Sequence, residues 1–212
     1  MIALIGFAVV ALVDLAAELA GWSAVALSCR VLLMPLLILL CWTTAARRDR
    51  LVILVCVALG CSWLGDFAGT TIMLKIGFFL VAQIVYIVAF RPYWRCSVVT
   101  RPPLLITYGI ALVALIGTVA WRAGPLAAPV AVYGLSLAVM AMLATGVGRL
   151  AGLGGALFLL SDIVLAVEFF VAPDAIPAAA FVNMALYLPA QLMITLGVLN
   201  RVATEVRRGR NG

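Results

Sequence analysis

Two aspartates stand inside apolar runs long enough to cross a bilayer: Asp66 in LGCSWLGDFAG and Asp162 in GALFLLSDIVLAVEFF. A carboxylate in hydrocarbon costs about 3 kcal/mol even on the most lenient insertion scale, so it is kept only where it is paired, protonated or lining a wet cavity. Two carboxyl groups in one apolar site can divide the work, one holding a proton and the other a charge. That division supplies a general acid and a general base, or an acid and an anion that steadies a cation. It suits a reaction that begins with proton donation and passes through an oxocarbenium-like state. A lipid substrate would enter such a site sideways from the bilayer.

Other polar residues gather at similar depth. Arg30, Lys75, Tyr133, Asn183 and Tyr187 fall in the same outer half of the apolar runs, and Gln83 and Gln191 fall nearer the middle. Gln83 and Tyr86 are three residues apart and share a helix face; Asn183, Tyr187 and Gln191, four apart, make one polar stripe. With Arg30 and Lys75 as candidate phosphate partners, these eight residues are the candidate substrate-binding set around the catalytic pair Asp66 and Asp162. Arg122, at the same surface, is a further phosphate candidate. Structural roles compete with each assignment: the stripe can be interhelical hydrogen bonding, Glu168 near a helix end can snorkel to water, and Asp66 can sit beside a short loop. Asp14 and Glu18, four residues apart, need a cation or a proton, and Arg30 is the nearest candidate.

The elements that must position these groups follow from composition. The 212 residues are 67% hydrophobic and 10% charged, with a mean hydropathy of +1.28. That balance belongs to a polytopic membrane protein. Runs of the right length give eight helical spans, at about 2–20, 24–43, 51–67, 71–90, 103–121, 126–146, 152–171 and 177–199. The expected fold is an all-α transmembrane bundle forming a single integral membrane domain over 1–200, followed by a basic tail over 201–212 that is disordered at its Gly-Arg-Asn-Gly end. The first run lacks a basic start and carries Asp14 and Glu18, so it reads as a retained helix rather than a cleaved signal.

The charge of +6 is topological rather than a nucleic-acid signal. Arg47, Arg48, Arg50, Arg91, Arg95, Arg101, Arg149, Arg201, Arg207, Arg208 and Arg210 all follow even-numbered spans, which is eleven of the fourteen basic residues. The positive-inside rule then puts both termini in the cytoplasm; if the source is a bacterium, the membrane is the plasma (inner) membrane. The polar cluster would open toward the opposite side. The expected partners are the bilayer and a lipid substrate that carries a phosphate, with no nucleic acid; oligomeric state is not written in the sequence. There is no histidine, which removes His-based triads and zinc motifs. Cys29, Cys41, Cys56, Cys61 and Cys96 show no metal-ligand spacing, so neither a metal nor another cofactor is expected, and the thiols read as small apolar residues.

An internal echo links the two halves. Residues 58–66 and 154–162 share a small residue six before the Asp, a Leu two before it, and Gly or Ser just before it. Residues 79–85 and 187–193 both read aromatic-Leu-x-Ala-Gln-apolar-apolar. An offset of four spans would make two parallel four-helix repeats, related by an axis along the membrane normal. Gly60, Gly65, Gly154, Gly155 and Ser161 are expected to let helices approach closely.

The same phrases carry a resemblance. Gly65-Asp66, the run 77–86, the box 155–162 and the run 187–194 resemble the YhhN-like lysoplasmalogenase family over most of the chain, from about the second span to the eighth. The resemblance implies an eight-span enzyme with a lysophospholipid substrate, one that hydrolyses the vinyl ether bond of lysoplasmalogens, yielding a fatty aldehyde and glycerophosphocholine or glycerophosphoethanolamine. It also implies that Asp66 and Asp162 match the family's two essential aspartates. The chain departs from the family at Gln83, where a His is frequent, and at Met34 before Pro35, where a Lys is frequent. A small-solute or proton-coupled transporter would also use parallel repeats and a midplane carboxyl. An intramembrane aspartyl protease would show Tyr-Asp and Gly-x-Gly-Asp phrases, and Trp63 stands where the latter needs Gly. A non-catalytic membrane scaffold is the third alternative.

Overall fold

A computed structural model describes residues 2–67, 71–100, 109, 117–119 and 121–210. Most of the expected span 103–121 lies outside these residues, as do Arg101 and positions 211–212. The described chain is an all-α bundle whose seven long helices are each long and apolar enough to cross a membrane. They are α1 (Ile2–Ala20), α2 (Ser23–Thr44), α3 (Arg50–Phe67), α4 (Ile72–Phe90), α5 (Ala127–Val147), α6 (Arg149–Ala166) and α7 (Ala179–Arg210). The protein is a multi-pass integral membrane protein.

Local chemistry sets several starts. The Asp49 carboxylate accepts from the Val52 amide at 3.2 Å at the head of α3. The Thr71 hydroxyl accepts from the Leu74 amide at 3.3 Å, capping α4 just before Lys75. A π-helical turn, Val167–Val171, follows α6. Its wider winding turns two consecutive aromatics, Phe169 and Phe170, toward one cavity.

Sequential helices pack as neighbours: α1 on α2, α2 on α3, α3 on α4, α5 on α6 and α6 on α7. The two halves meet where α4 packs on α5 and where α7 reaches back to α1, α2 and α3. One continuous core runs through Met34, Leu37, Leu59, Phe79, Tyr86, Met140, Phe158, Leu188 and Ile194. Lipid gives no hydrophobic drive between helices, so close fit has to hold them. At Gly154 an added Cβ would stand 2.7 Å from the Ala190 carbonyl oxygen, and at Gly65 it would stand 2.7 Å from the Phe79 ring. Gly60 departs from the expectation of close packing: nothing lies within 4 Å of such a Cβ.

The last helix is longer than its apolar run. It continues past 199 to Arg210, so Gly209 and Arg210 of the expected disordered tail are helical. The polar extension keeps helical spacing, and Arg201 donates to Glu205 at 2.7 Å one turn on, a pairing that supports a helix outside the apolar layer.

Candidate functional site

The two echoed aspartates come from non-adjacent parts of the bundle, α3 and α6, and border one cavity. It has a volume of about 90 Å³ and is open on one side. Asp66, Lys75, Tyr133, Asp162, Asn183 and Tyr187 line it, together with apolar side chains from α4, α5, α6, the π-turn and α7. Six of the ten residues singled out from the sequence therefore meet at one place.

Each aspartate is held by a tyrosine. Tyr187 donates its hydroxyl to Asp66 Oδ2 at 2.9 Å, and Tyr133 donates to Asp162 Oδ2 at 2.5 Å. A hydrogen bond to an ionised group contributes about 1.5–3 kcal/mol, more than a neutral pair. Each therefore offsets part of what burying a carboxyl costs, and each leaves the second carboxyl oxygen unclaimed by its tyrosine.

The remaining amides stand behind these tyrosines, away from the cavity wall. Gln191 Nε2 donates to Tyr187 Oη at 3.3 Å and to Ser62 Oγ at 3.2 Å, while Gln191 Oε1 accepts from Tyr86 at 2.8 Å. Gln83 is fully buried and accepts from the Ser136 hydroxyl; its side chain also lies against Tyr133. Gln83, Tyr86 and Gln191 thus brace the groups that touch the cavity. Arg30 does not line it. Its guanidinium bonds Glu18 and stands 3.6 Å from Asp14, tying α1 to α2. Arg122 reaches the Val171 carbonyl at 3.4 Å, and Glu168 accepts from the Asp174 amide at 3.0 Å.

Sequence reasoning missed Ser62 and Ser136. A faint signal was present: Ser62 lies one turn before Asp66, and Ser136 lies one turn after Tyr133. The aromatic floor was also missed. Phe79, Phe158 and Tyr187 meet edge to face, with centroids 5.4–6.3 Å apart. The two departures from the family pattern both fall in this region. Met34 is buried with its sulfur 3.9 Å from Tyr187 Oη, and Gln83 lies behind Tyr133.

The chain is 46% identical over 71 residues to the lysoplasmalogenase TMEM86B of Rattus norvegicus. It is 48% identical over 71 residues to the lysoplasmalogenase TMEM86B of Homo sapiens. These stretches cover 34% of this chain and 30% of each relative, so the match spans less than a third of the curated proteins. No solved structure gives a significant match. The pattern of the YhhN family matches residues 25–198, from the start of α2 to the apolar part of α7, and the chain belongs to that family.

Proposed function

We propose that the protein hydrolyses the vinyl ether bond of lysoplasmalogens, with Asp66 and Asp162 as its acid–base pair. The observation that carries this reading is the convergence of both aspartates, each on a tyrosine hydroxyl, at a single cavity inside a membrane bundle. The names of the relatives and the family membership support the same substrate class.

Asp162, nearer the middle of its helix, is the acid. It gives its proton to the outer carbon of the vinyl ether, and the ether oxygen and inner carbon become an oxocarbenium ion. The Asp66 carboxylate faces that cation and takes a proton from water as the water oxygen bonds to the inner carbon. The product is a hemiacetal. In its collapse, Asp66 returns a proton to the ether oxygen as the carbon–oxygen bond breaks, and Asp162 takes the hemiacetal hydroxyl proton. One water is consumed, a fatty aldehyde and a glycerophospho-base leave, and both carboxyl groups regain their starting state. Preorganised polar groups in a site poor in water are what such a charge-developing step requires.

Lys75 forms no ion pair with any described residue and serves the phosphate. The apolar wall around Phe169 and Phe170 takes the start of the alkenyl chain. By the distribution of arginines, both termini face the cytoplasm and the cavity opens toward the other side.

The test is fatty-aldehyde release from lysoplasmenylcholine and lysoplasmenylethanolamine by the purified protein in detergent, with D66N and D162N alongside. Release that either substitution abolishes in a folded protein is the expected result. A fully active Asn variant, or no release from folded wild-type protein, overturns the reading.

A further inference from the structure

The echo that aligns residues 79–85 with 187–193 also aligns Lys75 with Asn183. Phe79 and Tyr187 are its first aligned pair, and their rings touch at 5.9 Å. Lys75 and Asn183 each stand four residues before that pair, one turn toward the starts of α4 and α7. Both line the cavity. The wall that holds the reacting pair thus continues, one turn on, into a cation on one helix and an amide on the other.

Asn183 is 6% exposed, and its carbonyl oxygen Oδ1 is buried with no hydrogen-bond partner among the described residues. A buried polar group left unpaired is destabilising, because it has given up water for nothing. Such a group facing a cavity calls for a ligand group that pairs with it. An amide offers both a donor and an acceptor, and a hydroxyl is the small group that answers both.

Resting on the vinyl ether hydrolase reading, we infer that Asn183 recognises the free sn-2 hydroxyl of the lysolipid and so selects lyso over diradyl lipids. The connectivity of the substrate suits a cation and an amide standing level on one wall, because its phosphate and its free hydroxyl are on adjacent carbons. The sn-1 vinyl ether goes to the aspartates, the phosphate on sn-3 goes to Lys75, and the sn-2 hydroxyl lies on the carbon between them. A second acyl chain on that oxygen would leave the amide without its hydroxyl donor.

The experiment compares lysoplasmenylcholine with its sn-2 deoxy analogue on wild-type protein and on Asn183→Leu and Asn183→Ala. The choline head group has no N–H, so the sn-2 hydroxyl is the only donor that changes. Wild-type kcat/KM is expected to fall about 100-fold on loss of the hydroxyl, toward the upper end of what leaving one buried amide unpaired costs. In both variants the two lipids should be turned over within about threefold of each other. Variants that keep the wild-type preference overturn the inference, and so does wild-type protein that cleaves both lipids equally well, with the hydrolase reading left standing. Wild-type protein that cleaves neither overturns the hydrolase reading and this inference with it. If Asn183→Leu does not fold, the smaller Asn183→Ala carries the comparison. If neither folds, the wild-type ratio of the two lipids decides.

Discussion

Asp66 and Asp162 occupy matching places in the two halves, yet their surroundings are not copies. The first takes its hydroxyl from Tyr187 across the bundle, from the other half. If the halves were equivalent, the second would take its hydroxyl from position 79, which aligns with Tyr187. That position is Phe79, which has no hydroxyl, and Tyr133 of α5 supplies one to Asp162 instead. The glutamines keep their matching places but also differ. Gln191 joins three hydroxyl groups, from Tyr86, Tyr187 and Ser62, whereas Gln83 leaves its Nε2 without a hydrogen bond among the described residues. Matching sequence positions thus deliver two carboxyl groups to one cavity, and different tyrosines hold them. A reaction that needs a proton on one side and a charge on the other needs that inequality.

The sharpest way to break the comparison is to remove the carboxyl groups one at a time. D162N and D66N should each lower aldehyde release at least about 1,000-fold, within the range for a general acid or base. The double variant should be no worse than either single one, because a pair acting as a unit is non-additive. Additive losses in the assay would mean that the two do not share a step.

Next comes packing. G154A should destabilise the protein by about 1–3 kcal/mol, since the new methyl meets the Ala190 backbone and overpacking costs that much. A thermal midpoint in detergent unchanged from wild type would contradict the close contact of α6 and α7. The tyrosines sharpen the chemical half of the comparison. Y187F and Y133F should each cost about 10- to 100-fold in kcat/KM, the equivalent of one charge-assisted hydrogen bond. Y187F should lose more, because it also removes one of the three hydroxyl partners of Gln191; equal losses would argue against the difference in bracing. The smallest effect should be at Gly60. Its echo partner is Ala156 and no atom opposes a methyl there, so G60A should leave stability within about 0.5 kcal/mol. A larger loss by thermal melting would show that α3 is packed where the structure leaves it open.

The helices were legible because apolar runs of bilayer length say little else. The aspartates were legible for the opposite reason, as costly groups in such a run. What could not be read was which helix face meets which. Tyr133 and Tyr187 looked alike in sequence, but only the packing of α7 against α3, and of α5 against α6, assigns each to its aspartate. Gln83, Tyr86 and Gln191 were recognised as polar residues of the right depth. Whether they touched the cavity or stood behind it depended on rotations about helix axes that apolar patterning on all sides does not fix. Arg30 had two possible duties, and the nearness of α1 decided for Glu18 and Asp14. The serines were overlooked because a helix tolerates serine without demanding a partner. The end of α7 was misjudged because hydropathy marks where lipid stops rather than where a helix does.

That overlong helix has a mechanical consequence. From Asn183 to Arg201, where the polar extension begins, it rises about 27 Å, close to the thickness of a hydrocarbon core. Arg207, Arg208 and Arg210 at its end seek the phosphate layer of one leaflet, while Tyr187 and Asn183 stand at the depth of the other. The one helix between them, continuous through Pro189, is a rod that would work as a gauge, setting the height of the cavity mouth against the opposite leaflet. Bilayers a few Å thicker or thinner would tilt the rod and shift that mouth relative to the head groups of incoming lipid. Turnover measured in vesicles of graded acyl length should therefore pass through a maximum, and a flat response would show that the rod does not set the depth.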